Sequence, residues 1–281
     1  MSVFTRFRRW LLNKKRWRYR LKHSFLFRLW RKTLRLLLYD LFDELERTRL
    51  LNEMIFAEMT KDSFIRTSGL AHEVAYWDRT LQKGAPQKAE KTQIANESLQ
   101  YLLELKEHFP ADQISILDVG SGPFTVIGSH YGDVRLNITA VDPLARYYED
   151  LIKKYALDPP VKTIFAEAER LSALFAPESF VWVHARNSID HASQPVEAIR
   201  EMIALVEPGG MLTLMHRSNE GEKESYSGFH QWNLFQEGGV FYVCGRQRSA
   251  AVNVNEMVPN DWDVRAYDKG VFVVFEARRP L

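Results

Sequence analysis

The sequence predicts an α/β fold, a mostly parallel seven-stranded sheet with a C-terminal antiparallel hairpin, preceded by a helical, basic N-terminal region. Three observations carry that expectation. From residue 114 onward, short aliphatic runs alternate with amphipathic helical patterns, as in a parallel sheet covered on both faces. The first run, Ile114-Ser115-Ile116-Leu117-Asp118-Val119, passes straight into Gly120-Ser121-Gly122, a strand entering a tight turn. The last two runs are separated by Asp268-Lys269-Gly270, a turn short enough to make them a hairpin.

A chain of 281 residues with 46% hydrophobic content holds one large α/β domain and an appendage, and is too apolar to be disordered. The expected division is 1–90 for the helical region and 91–281 for the α/β domain. Residues 1–40 contain thirteen Lys or Arg and one acid, Asp40. Taken from totals of 38 basic and 36 acidic residues, that leaves 25 and 35 beyond residue 40, a net charge of −10. The body is acidic and the arm basic. The single Cys244 rules out a disulfide framework and fits a reducing compartment. The expected placement is cytoplasmic, peripheral at the inner face of the cell membrane.

In the arm, Phe4, Phe7, Trp10, Leu11, Trp17, Leu21 and Phe25 recur among arginines and lysines, a basic amphipathic pattern. Such a helix suits an anionic membrane surface, with Trp at headgroup depth and Arg on phosphates. Packing on the acidic body or on a second copy in a homo-oligomer is the alternative, with a cleaved mitochondrial presequence behind it. No recognised nucleic-acid motif accompanies the arm, so nucleic acid is not the expected partner. Neither a spanning segment nor a signal peptide is expected there, because charge interrupts every apolar stretch.

The helical face continues through Leu26, Trp30, Leu34, Leu37, Leu38, Leu41, Leu45, Leu50, Met54 and Ala57. An aromatic and acidic cluster, Glu73-Val74-Ala75-Tyr76-Trp77-Asp78, precedes Lys83-Gly84-Ala85-Pro86, the expected linker. A helix is expected over 92–109 with Ile94, Leu99, Leu102, Leu103 and Phe109 inside, and Pro110 stops it. The glycine loop should open a helix at 124–129, its amide end toward a ligand. Strands follow at 136–141, 161–166, 180–184, 211–215, 262–267 and 271–276. Helices are expected at 143–155, around 169–175, and from Pro195 with Ala198, Met202 and Leu205 inside. Glu207-Pro208-Gly209-Gly210 reads as the turn ending that last helix, and the stretch before residue 262 as looser connection.

Ligands of parallel sheets lie beyond the carboxyl ends of the strands. Asp118 with the glycine loop, Asp142, Glu167 and Asn187 fall at such ends. Asp142 follows the glycines by about twenty residues, where a carboxylate takes ribose hydroxyls; an ordinary helix cap before Pro143 is the competing role. A nicotinamide dinucleotide would want Gly or Ala where Thr125 stands, and no Gly-Lys-Ser/Thr is present for a P-loop. No metal-ligand spacing stands out.

Leu117-Asp118-Val119-Gly120-Ser121-Gly122, Ala140-Val141-Asp142-Pro143, Phe165-Ala166-Glu167-Ala168-Glu169-Arg170-Leu171, Asn187-Ser188-Ile189-Asp190-His191 and Val206-Glu207-Pro208-Gly209-Gly210, in this order, resemble the motifs of class I S-adenosylmethionine-dependent methyltransferases. One departure is Phe124, where the family's third loop glycine would stand. The resemblance implies a Rossmann-like fold with S-adenosylmethionine as cofactor. Asp118, Gly120, Ser121 and Gly122 would surround its methionine part, Asp142 its ribose, Ala166 and Glu167 its adenine. Asn187 would lie below the sulfonium.

Candidate bases are His191, His216 and His230, with Asp190 beside the first; His191 and His230 are the foremost. His184 sits in a strand and reads as structural. The segments Glu73 to Asp78, Asn187 to His191 and His230-Gln231-Trp232-Asn233 are similar to those of bacterial methyltransferases of surface-polysaccharide pathways. That similarity implies a sugar hydroxyl on a glycan or glycolipid as acceptor. A non-catalytic adaptor subunit and an RNA methyltransferase are the alternatives.

Overall fold

Alternating aliphatic side chains along the predicted strands require two covered faces, and the fold supplies both. The computed structural model describes residues 61–89 and 93–281, within a unit spanning Thr60–Leu281. The basic arm and the helical face drawn to Ala57 lie outside the described residues. In chain order the elements are α1 (Lys61–Ala89), α2 (Asn96–Leu105), β1 (Ser115–Val119), β2 (His130–Tyr131), β3 (Val134–Arg135), β4 (Asn137–Val141), α3 (Ala145–Lys154), β5 (Thr163–Ile164), β6 (Phe180–Arg186), α4 (Pro195–Ala204), β7 (Val206–Arg217), α5 (Glu220–Lys223), β8 (Asn233–Glu237), β9 (Val240–Cys244), β10 (Val252–Asn253), β11 (Asp263–Lys269) and β12 (Phe272–Arg278). No described helix is long and apolar enough to cross a membrane.

Seven strands form one sheet in the order β11-β12-β7-β6-β1-β4-β5. The β5, β4, β1, β6 and β7 neighbours pair in parallel, while β12 pairs antiparallel with both β7 and β11. This is the expected Rossmann-like sheet with its terminal hairpin. Successive side chains of β1 take opposite faces. Leu117 and Val119 join Ala198, Ile199 and Met202 of α4, while Ile116 joins Tyr101 and Leu102 of α2 and Trp182 of β6. The chain builds outward from β1 through β4 to β5, then crosses to β6 on the other side of β1. That reversal opens a crevice at the carboxyl ends of β1 and β6.

Several expectations need correction. No helix follows the glycine loop; residues 121–129 turn irregularly into the β2–β3 hairpin. Thr125-Val126-Ile127 is a poor helix opening, and Gly128 is held at φ +100° against the Gln93 carbonyl, where a Cβ would sit 2.4 Å from the oxygen. A helix dipole therefore does not serve this loop. In α2 the buried face is Ser98, Tyr101, Leu102 and Leu105, whereas Leu103 is 46% exposed. Pro208-Gly209-Gly210 lies inside the long strand β7, not in a turn. The register jumps there between Phe180↔Val206 and Trp182↔Met211, and Gly209 N–H and Gly210 C=O pair with the C-terminal Pro280 and Arg279. The stretch read as loose connection folds into a second sheet, β10-β9-β8. Its turn, Glu237-Gly238-Gly239-Val240 between apolar runs, was a hairpin signal open to reading. Helix α1 departs from helical geometry at Gly84 (φ −175°, ψ 35°), inside the stretch expected to break.

Candidate active site

The strand that feeds the glycine loop ends in a carboxylate buried by the sheet itself. Asp118 is 1% exposed, and its Oδ2 has no partner among the described residues. Burial pushes Asp118 up to about 7, against the pull of the Thr125 hydroxyl. Asp142, at the end of β4, is buried beside it. Gly122 N–H donates to Asp142 Oδ2 at 3.0 Å and Leu144 N–H to Oδ1 at 2.8 Å. Burial pushes Asp142 up to about 6 despite both amides. The carboxylate thus braces the glycine loop and the entry to α3, the capping geometry weighed against ribose binding, and each oxygen retains a second lone-pair direction.

Gly120 and Gly122 stand at φ +70° and +65°, where a side chain is strained. A Cβ on Gly120 would lie 2.2 Å from Ser188 Cβ, and one on Gly122 would lie 2.7 Å from the Trp77 ring. Gly120→Ala should therefore cost about 1–3 kcal/mol in backbone strain alone. A melting temperature equal to wild type would refute this reading of the loop. Ser121 turns inward: its Oγ meets Thr163 Oγ1 at 3.1 Å and donates to Gly122 C=O at 3.1 Å, so its side chain fastens the loop to β5. Phe124, in place of a third glycine, packs with Leu81 of α1 and Leu144, Tyr148 and Leu151.

Ala166 is buried just past β5, and Glu167 is half-buried 3.9 Å from Arg170. Asn187 leaves β6 at φ +48°, a left-handed conformation that Asn tolerates better than most residues. Its Oδ1 accepts Arg217 N–H at 2.9 Å, which ties the ends of β6 and β7 together. Ser188 then donates to Val119 C=O at 2.9 Å, setting the following turn against the glycine loop.

That turn, Ile189–His191, carries the first two catalytic candidates, and the segment after α5 delivers the third. Asp190 Oδ2 lies 2.7 Å from His230 Nδ1 and 3.5 Å from His191 Nε2, and the two imidazole nitrogens are 3.2 Å apart. Burial works to raise Asp190, yet the imidazoles of His191, His230 and His216 outweigh it and hold the carboxyl at about 2. The Asp190 contact outweighs burial at His230 and raises it. His216 is not placed as a base: burial pushes it down to about 4, and neither nitrogen has a hydrogen-bond partner among the described residues. His184 is structural, its Nδ1 2.8 Å from Thr213 Oγ1 inside the sheet.

Sequence reasoning missed the cover over this site. Helix α1 places Trp77 on Gly122, Gly69 against Phe229 and His72 near Gly228, so it runs from the glycine loop to the His230 segment. Trp77 Nε1 donates to Glu73 at 3.0 Å, and Asp78 pairs with Lys154 and Tyr155 of the α3 end. No local pattern in the sequence announces these contacts.

The residues fit S-adenosylmethionine. Two desolvated acids, one with an orphaned oxygen, stand beside a cradle of positive-φ glycines, and a ligand carrying an ammonium and a sulfonium supplies the missing positive charge. Residues 117–214 match the family described as a methyltransferase domain. Among solved structures, the chain is similar to a Thermotoga maritima S-adenosylmethionine-dependent methyltransferase, a possible histamine N-methyltransferase. Identity is 16%, over 74% of this chain and 100% of that one, with a TM-score of 0.42. It is also similar to Haemonchus contortus phosphoethanolamine N-methyltransferase 2 in complex with phosphomonomethylethanolamine and S-adenosylhomocysteine. There identity is 15%, over 66% of this chain and 53% of that one, with a TM-score of 0.42. The strand order and the match over residues 117–214 agree with each other. Among curated proteins none matches the chain. The chain thus contains a methyltransferase domain, and S-adenosylmethionine is its cofactor.

Proposed function

We propose that the protein transfers the methyl group to a hydroxyl oxygen, and that its acceptor is a sugar of a glycan or glycolipid at the membrane surface. The observation that carries this reading is the pair of buried Asp190 and partly exposed His230 at 2.7 Å, set against the glycine loop through Ser188. A neutral sugar hydroxyl is a poor nucleophile, so an oxygen acceptor gains from a group that draws its proton off as the new bond to the methyl carbon forms. Asp190 fixes His230 through Nδ1, which leaves Nε2 as the basic nitrogen, with His191 beside the pair. The bound cofactor supplies a methyl already activated by positive sulfur. The chain's own part is to hold the acceptor in line, exclude water beneath α1 and take the proton.

The sugar reading draws support from the three segments that resemble polysaccharide-pathway enzymes. Two of them meet, His230 against Asp190, and Trp77 of the third lies against the glycine loop. The membrane reading draws on the charge asymmetry of the sequence, thirteen basic residues in the first forty against an acidic remainder. The test is transfer of a labelled methyl group from S-adenosylmethionine to lipid-linked glycans, free sugars, RNA and protein offered side by side. Label recovered as an O-methyl sugar is the expected result. Label in RNA or protein alone would sink the proposal.

A further inference from the structure

Asp190 Oδ2, His191 Nε2 and His230 Nδ1 all lie within 4.8 Å of one another, at 2.7, 3.2 and 3.5 Å pairwise. Donors bound tetrahedrally to zinc at 2.0–2.1 Å stand about 3.3 Å from one another. The three atoms therefore already mark one face of such a tetrahedron. One carboxylate oxygen faces two imidazole nitrogens that also face each other, a set of lone pairs that one cation satisfies at once. We propose that these three side chains bind a single divalent transition-metal ion of the zinc class, with a fourth position open to the acceptor hydroxyl.

A second observation points the same way. His216, 1% exposed and without a hydrogen-bond partner at either nitrogen among the described residues, holds Nδ1 4.0 Å from Asp190 Oδ1. A carboxylate that gives Oδ2 to a metal keeps Oδ1 for an outer partner, and the buried, unpartnered His216 imidazole is within a short shift of that oxygen. The donor set, two nitrogens and one oxygen, selects zinc-like ions over magnesium or calcium, which take oxygen donors. Asp190 closes the floor, while the His191 and His230 side chains are 21% and 29% exposed, so the open position faces the crevice. A hydroxyl placed there loses its proton more readily: the O–H bond breaks, the oxygen keeps the electron pair and the proton leaves to solvent. This last role rests on the hydroxyl-acceptor reading above, and replaces a free imidazole base by a metal; the site itself does not depend on it.

The experiment uses the full chain, without an affinity tag, stripped by chelator and then titrated with Co²⁺ alone, followed by Zn²⁺. One Co²⁺ per chain with the intense visible absorption of a four-coordinate ion, displaced by Zn²⁺, is the expected result. Asp190→Asn and His230→Ala should each weaken binding at least about tenfold, while His108→Ala, an exposed histidine beyond α2, keeps it. His191→Gln, which keeps a polar side chain at a partly exposed position, serves if Asp190→Asn or His230→Ala fails to fold. Folded wild type that takes up no stoichiometric metal, or a His230→Ala chain that binds as well as wild type, overturns the site. Undiminished O-methyl transfer by metal-free protein overturns the metal's role and leaves the hydroxyl reading standing. A bound metal with transfer to a non-oxygen acceptor supports the site and overturns the hydroxyl reading.

Discussion

His230→Ala and Asp190→Asn should each lower turnover by about 10²–10⁴-fold, the span associated with losing proton transfer at the acceptor. S-adenosylmethionine affinity should stay near wild type, because neither residue belongs to the glycine loop or to the two acids beside it. The split between kcat and cofactor Kd is what the measurement reads. Asp190 is almost wholly buried beneath its imidazole partners, so the Asp190→Asn variant keeps shape and hydrogen bonding while removing the charge that aligns them. His191→Ala should be milder, since its closest approach to Asp190 is 3.5 Å against 2.7 Å for His230. Unchanged turnover in both the Asp190→Asn and the His230→Ala chains would remove this cluster from the chemistry.

Asp118→Asn should act in opposite directions on stability and on binding. Burial raises Asp118 to about 7 from an ordinary carboxylate value near 4, so between those values the native state holds a proton that the unfolded state has released. Stability of the ligand-free protein therefore falls as pH rises through that window, and Asp142, raised to about 6, adds to the fall. His184 and His216 oppose it at lower pH. Their native values of about 3 and 4 lie below the unfolded value, so their contribution is complete above it and lost as pH falls. Above about pH 6.5 two raised groups remain, Asp118 and His230, and both make stability fall as pH rises. Melting temperature should decline from about pH 6.5 to 8 in wild type, and less steeply in the Asp118→Asn protein, where His230 alone of the two remains.

Cofactor binding should show the reverse. A cationic ligand needs the ionised acid, so wild-type affinity should rise about a hundredfold from pH 5 to pH 8 through Asp118 alone. The Asp118→Asn variant should bind weakly at every pH, with most of that slope gone. Calorimetric titration across the range reads both effects, and a pH-independent wild-type Kd would remove Asp118 from the cofactor site.

The parts of the fold legible in the sequence were those written in short-range pattern. Ile116, Leu117 and Val119 announce a strand with two covered faces, and Pro195 with Ala198 and Met202 announces α4. The chemistry-bearing residues were legible as types at strand ends. Their meeting was not: His191 and His230 are separated by 39 positions, and the path through α4, β7 and α5 closes that distance. Pro208-Gly209-Gly210 misled because its turn chemistry is real but local; the C-terminal residues pair with it and keep it in a strand. Leu103 misled because helical periodicity alone does not fix which neighbouring stripe turns inward, and Tyr101 took the place beside Trp182.

Helix α1 also bears on where the chain tolerates being cut. A protein beginning at residue 93 would keep all seven strands and every motif of the cofactor loop. It would lose Leu81, fully buried against Phe124, Leu144, Tyr148 and Leu151, and with it the roof over those side chains. Each large apolar residue so uncovered forfeits up to about 1.5–3 kcal/mol of burial. The shortened chain would carry a sticky apolar face beside its glycine loop, and self-association rather than loss of the sheet would be its first failing.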